Sequence, residues 1–291
     1  RGARYRGGVQ AQASRATEEA KNLHQRQDHC CGRRQPQAQT PAAIPGHGIF
    51  EFPRGARAGT CLHMIFEWLD FTQQDRSQLE GLVERVLKLH GLDVTAWTGV
   101  VADMVERVLA TPLDDSGTRL AAVTPEQRIN ELEFYYPLAD LRADALRRVL
   151  ERHGRTAGRF QEMVERLEFA PLRGYMKGYI DLVFEVDGRF YLVDYKSNWL
   201  GAEPGAYRRA RLDEAMARES YGLQYLIYVV ALHRYLRSRL VDYDYERHFG
   251  GVFYLFLRGM GPEWGTDCGV FRDRPVPALI EALDTLMATG A

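Results

Sequence analysis

The sharpest alternation of apolar and polar positions in the chain falls in GYIDLVFEVDGRFYLVDYKSNWLG, residues 178–201. Two β-branched and aromatic runs flank Asp187-Gly188 there, and a two-residue turn of that composition predicts a tight hairpin, because a type I′ turn needs positive φ at both central positions. With those two residues as the loop, Val186 faces Arg189, and pairing back from the turn sets Asp181 directly opposite Asp194. A period of two then puts Asp181, Val183, Leu192, Asp194 and Lys196 on one face. Ile180, Leu182, Phe184, Tyr191 and Val193 line the other. Both faces are largely apolar, as for a strand pair buried inside a domain.

Elsewhere the pattern has helical spacing. In TCLHMIFEWLDF, Leu62, Ile65, Phe66 and Leu69 recur on one helical face. RSQLEGLVERVLKLHGL and VTAWTGVVADMVERVLATPL predict two more amphipathic helices, the second stopped by Pro112. INELEFYYPL predicts a strand, and DLRADALRRVLERHG and RFQEMVERLEF predict helices. After the hairpin, residues 201–218 have the charge density of a loop. A long helix is expected from about Glu219 to Leu240, then a strand GGVFYLFLRGM and a terminal helix VPALIEALDTLMATG. Residues 1 to about 50 are rich in Arg, Gln, Ala and Gly with almost no large apolar side chain. They are expected to be disordered or a linker, with one domain over 51–291. With Arg at position 1, the chain is expected to be a piece of something longer.

Composition narrows the function classes. Hydrophobic residues make up 45% of the 291, enough for a real core. No run approaches the roughly 18 apolar residues of a membrane helix. Four cysteines, Cys30, Cys31, Cys61 and Cys268, lack metal-site spacing, so a reducing, cytoplasmic setting is expected. A formal net charge of −1 excludes a protein that finds nucleic acid by its bulk field alone. No GxxxxGK[ST] phosphate loop occurs, so the chain carries no ATPase motor of that kind.

The chemistry concentrates at the hairpin. Like charges opposite one another destabilise a strand pair, so Asp181 and Asp194 need compensation. A divalent cation such as Mg²⁺ supplies it, since Mg²⁺ takes one or two carboxylates together with water and phosphate oxygens. Lys196, on the same face, is placed to orient water or to stabilise charge on phosphate. The competing reading is an internal Asp–Lys ion pair with Asp181 at a frayed strand end; a second buried carboxylate makes that costly. His63 lies beside the apolar stripe of its helix and reads equally as a boundary residue. Glu131 and Glu133 share a strand face, which a solvent-facing edge explains as well as a site does. Tyr221, Gln224 and Tyr228 form a polar, aromatic stripe at i, i+3 and i+7, beside an apolar stripe of Leu223, Ile227 and Val230. The first stripe fits contact with something wet, or hydroxyls paired in the core.

GTCLHMIFEWLDF, NELEFYYPL, MKGYIDLVFEVDGRFYLVDYKSNWLG, YGLQYLIYVVALHRYLR and DYDYERHFGGVFYLFLRGM, in this order, resemble the C-terminal nuclease domain of exodeoxyribonuclease V β subunits, the RecB family. The resemblance runs from about Phe52 to the end. It implies an α/β fold of PD-(D/E)xK, restriction-endonuclease-like type: a central mixed sheet flanked by helices, with a helical insertion. It further implies Mg²⁺-dependent hydrolysis of unwound DNA in double-strand break repair and recombination, with single strands as the immediate substrate. By position, it implies metal binding by His63, Asp181, Asp194 and the Tyr195 backbone carbonyl, with Lys196 as catalytic lysine and the site acid at Glu131 or Glu133. Gln224 and Tyr228 match the QxxxY motif that lies along the DNA path, with Tyr221 beside them. Implied partners are DNA, RecC-like and RecD-like subunits and the RecA recombinase. The alternative from another class is a non-catalytic module for recombinase loading or complex assembly. The family's helicase part has no counterpart in this chain, so unwinding is not assigned to it.

Overall fold

The computed structural model describes residues 48–73, 75–153 and 168–290. The expected linker, through residue 47, and most of the helix expected over RFQEMVERLEF lie outside the described residues. In chain order the helices are α1 (Ala56–Trp68), α2 (Arg76–Leu89), α3 (Val94–Ala110), α4 (Ala143–Arg152), α5 (Arg209–Arg218), α6 (Tyr221–Arg239), the single turn α7 (Tyr245–His248) and α8 (Pro277–Thr289). The strands are β1 (Arg128–Leu141), β2 (Leu172–Val186), β3 (Arg189–Lys196), β4 (Phe249–Phe256) and β5 (Val270–Asp273). They form one mixed sheet in the order β1-β2-β3-β4-β5, parallel between β3 and β4 and antiparallel elsewhere.

Both faces of the sheet are covered, which is why its central strands are apolar on both sides. One core joins α1, α2 and α3 to Leu182, Phe184, Val193, Tyr195, Phe253 and Leu255. The other joins α4, α5, α6 and α8 to Ile180, Val183, Leu192, Val252, Tyr254 and Phe256. Helix starts follow capping chemistry: Asp75 accepts from the Ser77 and Gln78 amides at the head of α2, and Asp93 from the Ala96 amide at the head of α3. Helix α3 ends at Ala110, two residues before Pro112, as that proline predicts.

The hairpin turn is as expected, with Asp187 at φ 52° and Gly188 at φ 76°, and the register holds from Val186↔Arg189 to Leu182↔Val193. Alternation then breaks. Ile180 packs in the core with Val183 and Leu192 rather than with Leu182 and Phe184. The break coincides with Asp181 on β2 and Glu131 at φ 50° on β1, the position skipped in the β1–β2 ladder.

Three further expectations are corrected. The charged stretch 201–218 contains α5, whose Leu212, Ala215 and Met216 form a narrow buried stripe in an otherwise charged helix. Ser220, at φ 57°, separates it from α6. On α6, Leu223 and Ile227 are only half-buried, and the deeply buried stripe is Tyr225, Leu226, Val229 and Val230. The strand expected through Met260 stops at Phe256, where Leu257–Gly259 turn into a 3-10 helix.

Pro137 sits inside β1 without penalty because β1 is an edge strand with only β2 as neighbour. Gly178 lies opposite Phe134 in that ladder, and a Cβ there would sit 2.4 Å from the Phe134 ring. The ring instead lies across the strand and meets Tyr228 of α6 edge-on, with centroids 5.7 Å apart. Packing at the β1–β2 end thus bears directly on the polar stripe of α6.

Candidate active site

The site forms where the sheet forks. Strand β2 pairs with β3 only over Leu182–Val186; its N-terminal part stays with β1, while β3 continues beside β4 through Lys196. Asp181 and Asp194 fall just past the last rung. They are brought together as expected, but outside the regular ladder. The Asp181 Oδ2 atom accepts the Tyr195 N–H at 2.7 Å, so a side chain takes the place of the missing strand partner.

Asp194 and Lys196 are buried, with Lys196 Nζ 2.6 Å from Asp194 Oδ2. The ammonium also donates to Gln224 Oε1 at 3.1 Å and lies 3.9 Å from the Tyr221 ring centre and 5.0 Å from that of Tyr254. Gln224 is itself held by Tyr254 OH at 3.1 Å and donates to Tyr228 OH at 3.0 Å. Tyr221 OH donates to Asn198 Oδ1. The polar stripe of α6 therefore forms a cage around the lysine. Burial works against the charged lysine, but Asp194 outweighs it and holds the Lys196 pKa above its ordinary value. Burial, with Asp181 adding to it, pushes the Asp194 carboxyl up to about 6.

Helix α1 brings His63, 28% exposed, to the other side of the fork, its Nδ1 3.3 Å from Asp181 Oδ2. Burial would lower the His63 pKa, and the Asp181 charge and hydrogen bond overcome it and raise it. The same pairing keeps Asp181 below its ordinary value against burial. The C-terminal end of α1 is tied to β1: Asn130 Nδ2 donates to Glu67 O at 2.6 Å and Arg128 to Leu69 O at 2.5 Å. The two strand acids part company. Glu133 is exposed and ion-paired with Lys177 at 2.5 Å, whereas Glu131 feels Asp181, Asp194, His63 and Glu67. Burial first, then Asp181 and Glu67, push Glu131 up to about 7.

That shift gives a stability prediction. Between the ordinary carboxylate range and pH about 7, folded Glu131 binds a proton that the unfolded chain releases. Its contribution is complete at acid pH and is lost as pH rises through 7. In metal-free buffer, the Tm of Glu131→Gln relative to the unsubstituted chain should therefore climb between pH 5 and pH 8. A constant difference would remove Glu131 from the acidic cluster.

Arg258 was not singled out in the sequence, although a charge inside the apolar run VFYLFLRGM is a signal. It is 1% exposed, and its guanidinium donates to the carbonyls of Ile49, Phe52, Pro53 and Ser197 at 2.7 to 3.0 Å. Burial lowers its pKa to about 10. It fastens the segment leading into α1, and so His63, to the residue after Lys196. Cys61 and Cys268 are buried free thiols away from this chemistry, with burial pushing Cys61 up to about 11.

The donor set suits a hard divalent cation. Asp181 and Asp194 meet at the fork with Glu131 nearby, and both ion pairs and the Tyr195 amide fall on the Oδ2 atoms. Asp194 Oδ2 is buried and faces Lys196 without hydrogen-bond alignment. Among the described residues, no group of three or more His, Cys, Asp or Glu side chains is gathered tightly enough to form a metal cage. A two-carboxylate site completed by backbone oxygen and water is the arrangement that Mg²⁺ accepts.

Comparison with known proteins agrees with the fold. Residues 42–277 match the model of the PD-(D/E)XK nuclease superfamily. The RecBCD enzyme subunit RecB of Escherichia coli strain K12 is 42% identical over 239 residues, 82% of this chain and 20% of that protein. The subunit RecB of Haemophilus influenzae is 40% identical over 238 residues, 81% of this chain and 19% of that protein. That of Mycobacterium tuberculosis strain H37Rv is 37% identical over 282 residues, 85% of this chain and 26% of the relative. The chain thus spans about a fifth to a quarter of the length of these relatives. No helix among the described residues is long and apolar enough to cross a membrane.

Proposed function

This chain belongs to the PD-(D/E)XK nuclease superfamily, and from that premise we propose that it hydrolyses phosphodiester bonds of unwound, single-stranded DNA with Mg²⁺ as cofactor. The observation that carries the reading is a buried lysine caged beside two converging carboxylates at the fork of β2 and β3. Asp181, Asp194 and the Tyr195 carbonyl would hold the cation, with His63 orienting Asp181 or ligating in turn and Glu131 as the acid on β1. The bound cation would lower the pKa of a water and neutralise charge on the scissile phosphate.

The protein's own groups supply the rest. Lys196, kept cationic by Asp194 and aimed by Gln224, Tyr221 and Tyr254, orients the attacking water and stabilises the charge that develops on the phosphate oxygens. Its ammonium is fixed before substrate arrives, so little reorganisation is needed in the transition state. Glu131, which burial and the Asp181 charge push up to about 7 in the metal-free cluster, would ionise as a bound cation neutralises its neighbours, and so would complete the acidic set. In a RecB-like assembly, with RecC-like and RecD-like subunits, strands separated by a helicase elsewhere would be fed to this site as part of double-strand break repair. The test is to mix the purified chain with end-labelled single-stranded DNA in Mg²⁺ or in EDTA. Cleavage in Mg²⁺ alone is expected; binding without cleavage in both would favour a non-catalytic module.

Affinity offers a second check. With a formal net charge of −1, no bulk field gathers phosphate around the chain, and only a few local contacts are expected. The slope of log K against log[salt] for single-stranded DNA should be no steeper than about −2, the value for three phosphates at about −0.7 each. A much steeper slope would mean many phosphate contacts and contradict this expectation.

A further inference from the structure

Three large aromatic side chains stand in solvent on the outer face of the β1–β2 pair, where an edge sheet normally presents polar residues: Tyr135, Tyr175 and Tyr179, at 60%, 53% and 41% exposure. Tyr135 and Tyr175 already lie ring on ring, with centroids 4.6 Å apart and planes 7° from parallel. Lys177, between the other two on β2 and opposite Tyr135 on β1, holds its ammonium 5.6 Å from the Tyr179 ring centre. Arg173, also exposed, lies just before this row on β2. The row leads to the fork: Tyr179 precedes Asp181 by two residues, and from Tyr175 to Asp181 the strand covers about 20 Å at about 3.3 Å per residue.

We propose that this face is a base-stacking platform for unpaired nucleobases of the single strand entering the site, with Tyr135, Tyr175 and Tyr179 as the stacking surface and Arg173 and Lys177 on the phosphate side. The proposal rests on the nuclease reading for its occupant. Stacking suits a chain that lacks a bulk basic field, because every base offers a π-face whatever the sequence. Tyrosine is also economical in conformational entropy, with two side-chain torsions to fix, and the parallel pair is ordered before any base arrives. One acid, Glu133, sits in this row, and Lys177 neutralises it, so the platform adds no net repulsion against phosphate. A cross-strand tyrosine pair that only stabilises the β1–β2 pairing would have the same geometry, and the experiment separates the two roles.

Binding of a fluorescent 20-nucleotide oligothymidylate to the full chain is measured by anisotropy in EDTA. The comparison is with a sugar-phosphate oligomer of the same length that lacks bases. Tyr135→Ala/Tyr175→Ala should lose about 10-fold in affinity for oligothymidylate, and Tyr135→Phe/Tyr175→Phe, which keeps both rings, should not. Binding of the base-free oligomer should be the same for all three proteins. Mg²⁺-dependent cleavage of thymidine 5′-(p-nitrophenyl phosphate), too short to reach the platform, should be unchanged by either pair of substitutions. Should the alanine pair unfold, Tyr135→Ala alone, at the most exposed of the three positions, should show about a 3-fold loss confined to oligothymidylate. Undiminished oligothymidylate affinity in the alanine variant, or an equal loss with the base-free oligomer, overturns the platform. If the unsubstituted chain binds oligothymidylate through these rings yet cleaves neither DNA nor the ester, the nuclease reading fails and the platform stands.

Discussion

Lys196→Ala should slow Mg²⁺-dependent DNA hydrolysis by at least about 100-fold, the scale on which one preorganised electrostatic contact is lost. The ammonium is enclosed by Asp194, Gln224 and two tyrosine rings, and at 6% exposure of the side chain little bulk water is at hand to substitute for it. Its structural and chemical roles separate by metal. In metal-free buffer the substitution strips a buried carboxylate of its partner, a change that costs about 3–5 kcal/mol where the remaining charge cannot neutralise. Asp194 has an escape, since its carboxyl is already pushed up to about 6 and can take a proton. With Mg²⁺ present the cation replaces the lost charge, so thermal stability should return while hydrolysis stays collapsed. Lys196→Arg should not rescue the rate: the cage fits a compact ammonium, and a planar fork places its donors elsewhere. Near-normal cleavage by the arginine variant, measured as single-turnover rate at saturating Mg²⁺, would reduce Lys196 to a generic positive charge.

Asp194→Asn should abolish cleavage and remove the stabilisation that Mg²⁺ confers, yet leave the metal-free protein at pH 7.5 as stable as before or slightly more so. The sign follows from the raised carboxyl. A folded-state pKa of about 6 lies above the ordinary carboxylate range, so ionisation at pH 7.5 works against the fold. The amide removes that charge while remaining close to isosteric. His63→Ala should be milder, weakening metal binding through loss of the imidazole that holds Asp181, because the Tyr195 amide still fixes that carboxylate. Loss of folding in Asp194→Asn with Mg²⁺ stabilisation intact would show the carboxylate to be structural.

How much of this was legible in the sequence depends on how local each feature is. The hairpin register could be read from Asp187-Gly188 because turn chemistry alone sets it. The fork could not, since it depends on β4 drawing β3 away from β2. For that reason the side taken by Ile180 was misjudged: a period of two has no means of announcing where a strand changes partner. The choice between Glu131 and Glu133 was hidden likewise, because positive φ at Glu131 breaks the alternation that would have put both acids on one face. The α6 stripe was visible as Tyr221, Gln224 and Tyr228; of the two readings open for it, paired polar groups are what these contacts show, gathered around Lys196, a partner that no spacing within α6 could name. Helix α5 was concealed by its own charge density, and β5 by its length of four residues. Arg258 shows the limit most plainly: three of its four carbonyl partners lie about 200 residues away, and carbonyls leave no mark in a sequence.

The central claim is that Asp181 and Asp194 converge in order to hold a divalent cation. Mn²⁺ substitutes for Mg²⁺ at oxygen-rich sites and is visible by electron paramagnetic resonance, so titrating the full chain with Mn²⁺ and following the free-ion signal addresses the claim without relying on catalysis. The unsubstituted chain should remove one equivalent of Mn²⁺ from solution, competed off by excess Mg²⁺, and Asp181→Asn/Asp194→Asn should remove none. Equal uptake by the two proteins, or no uptake by either, would contradict it.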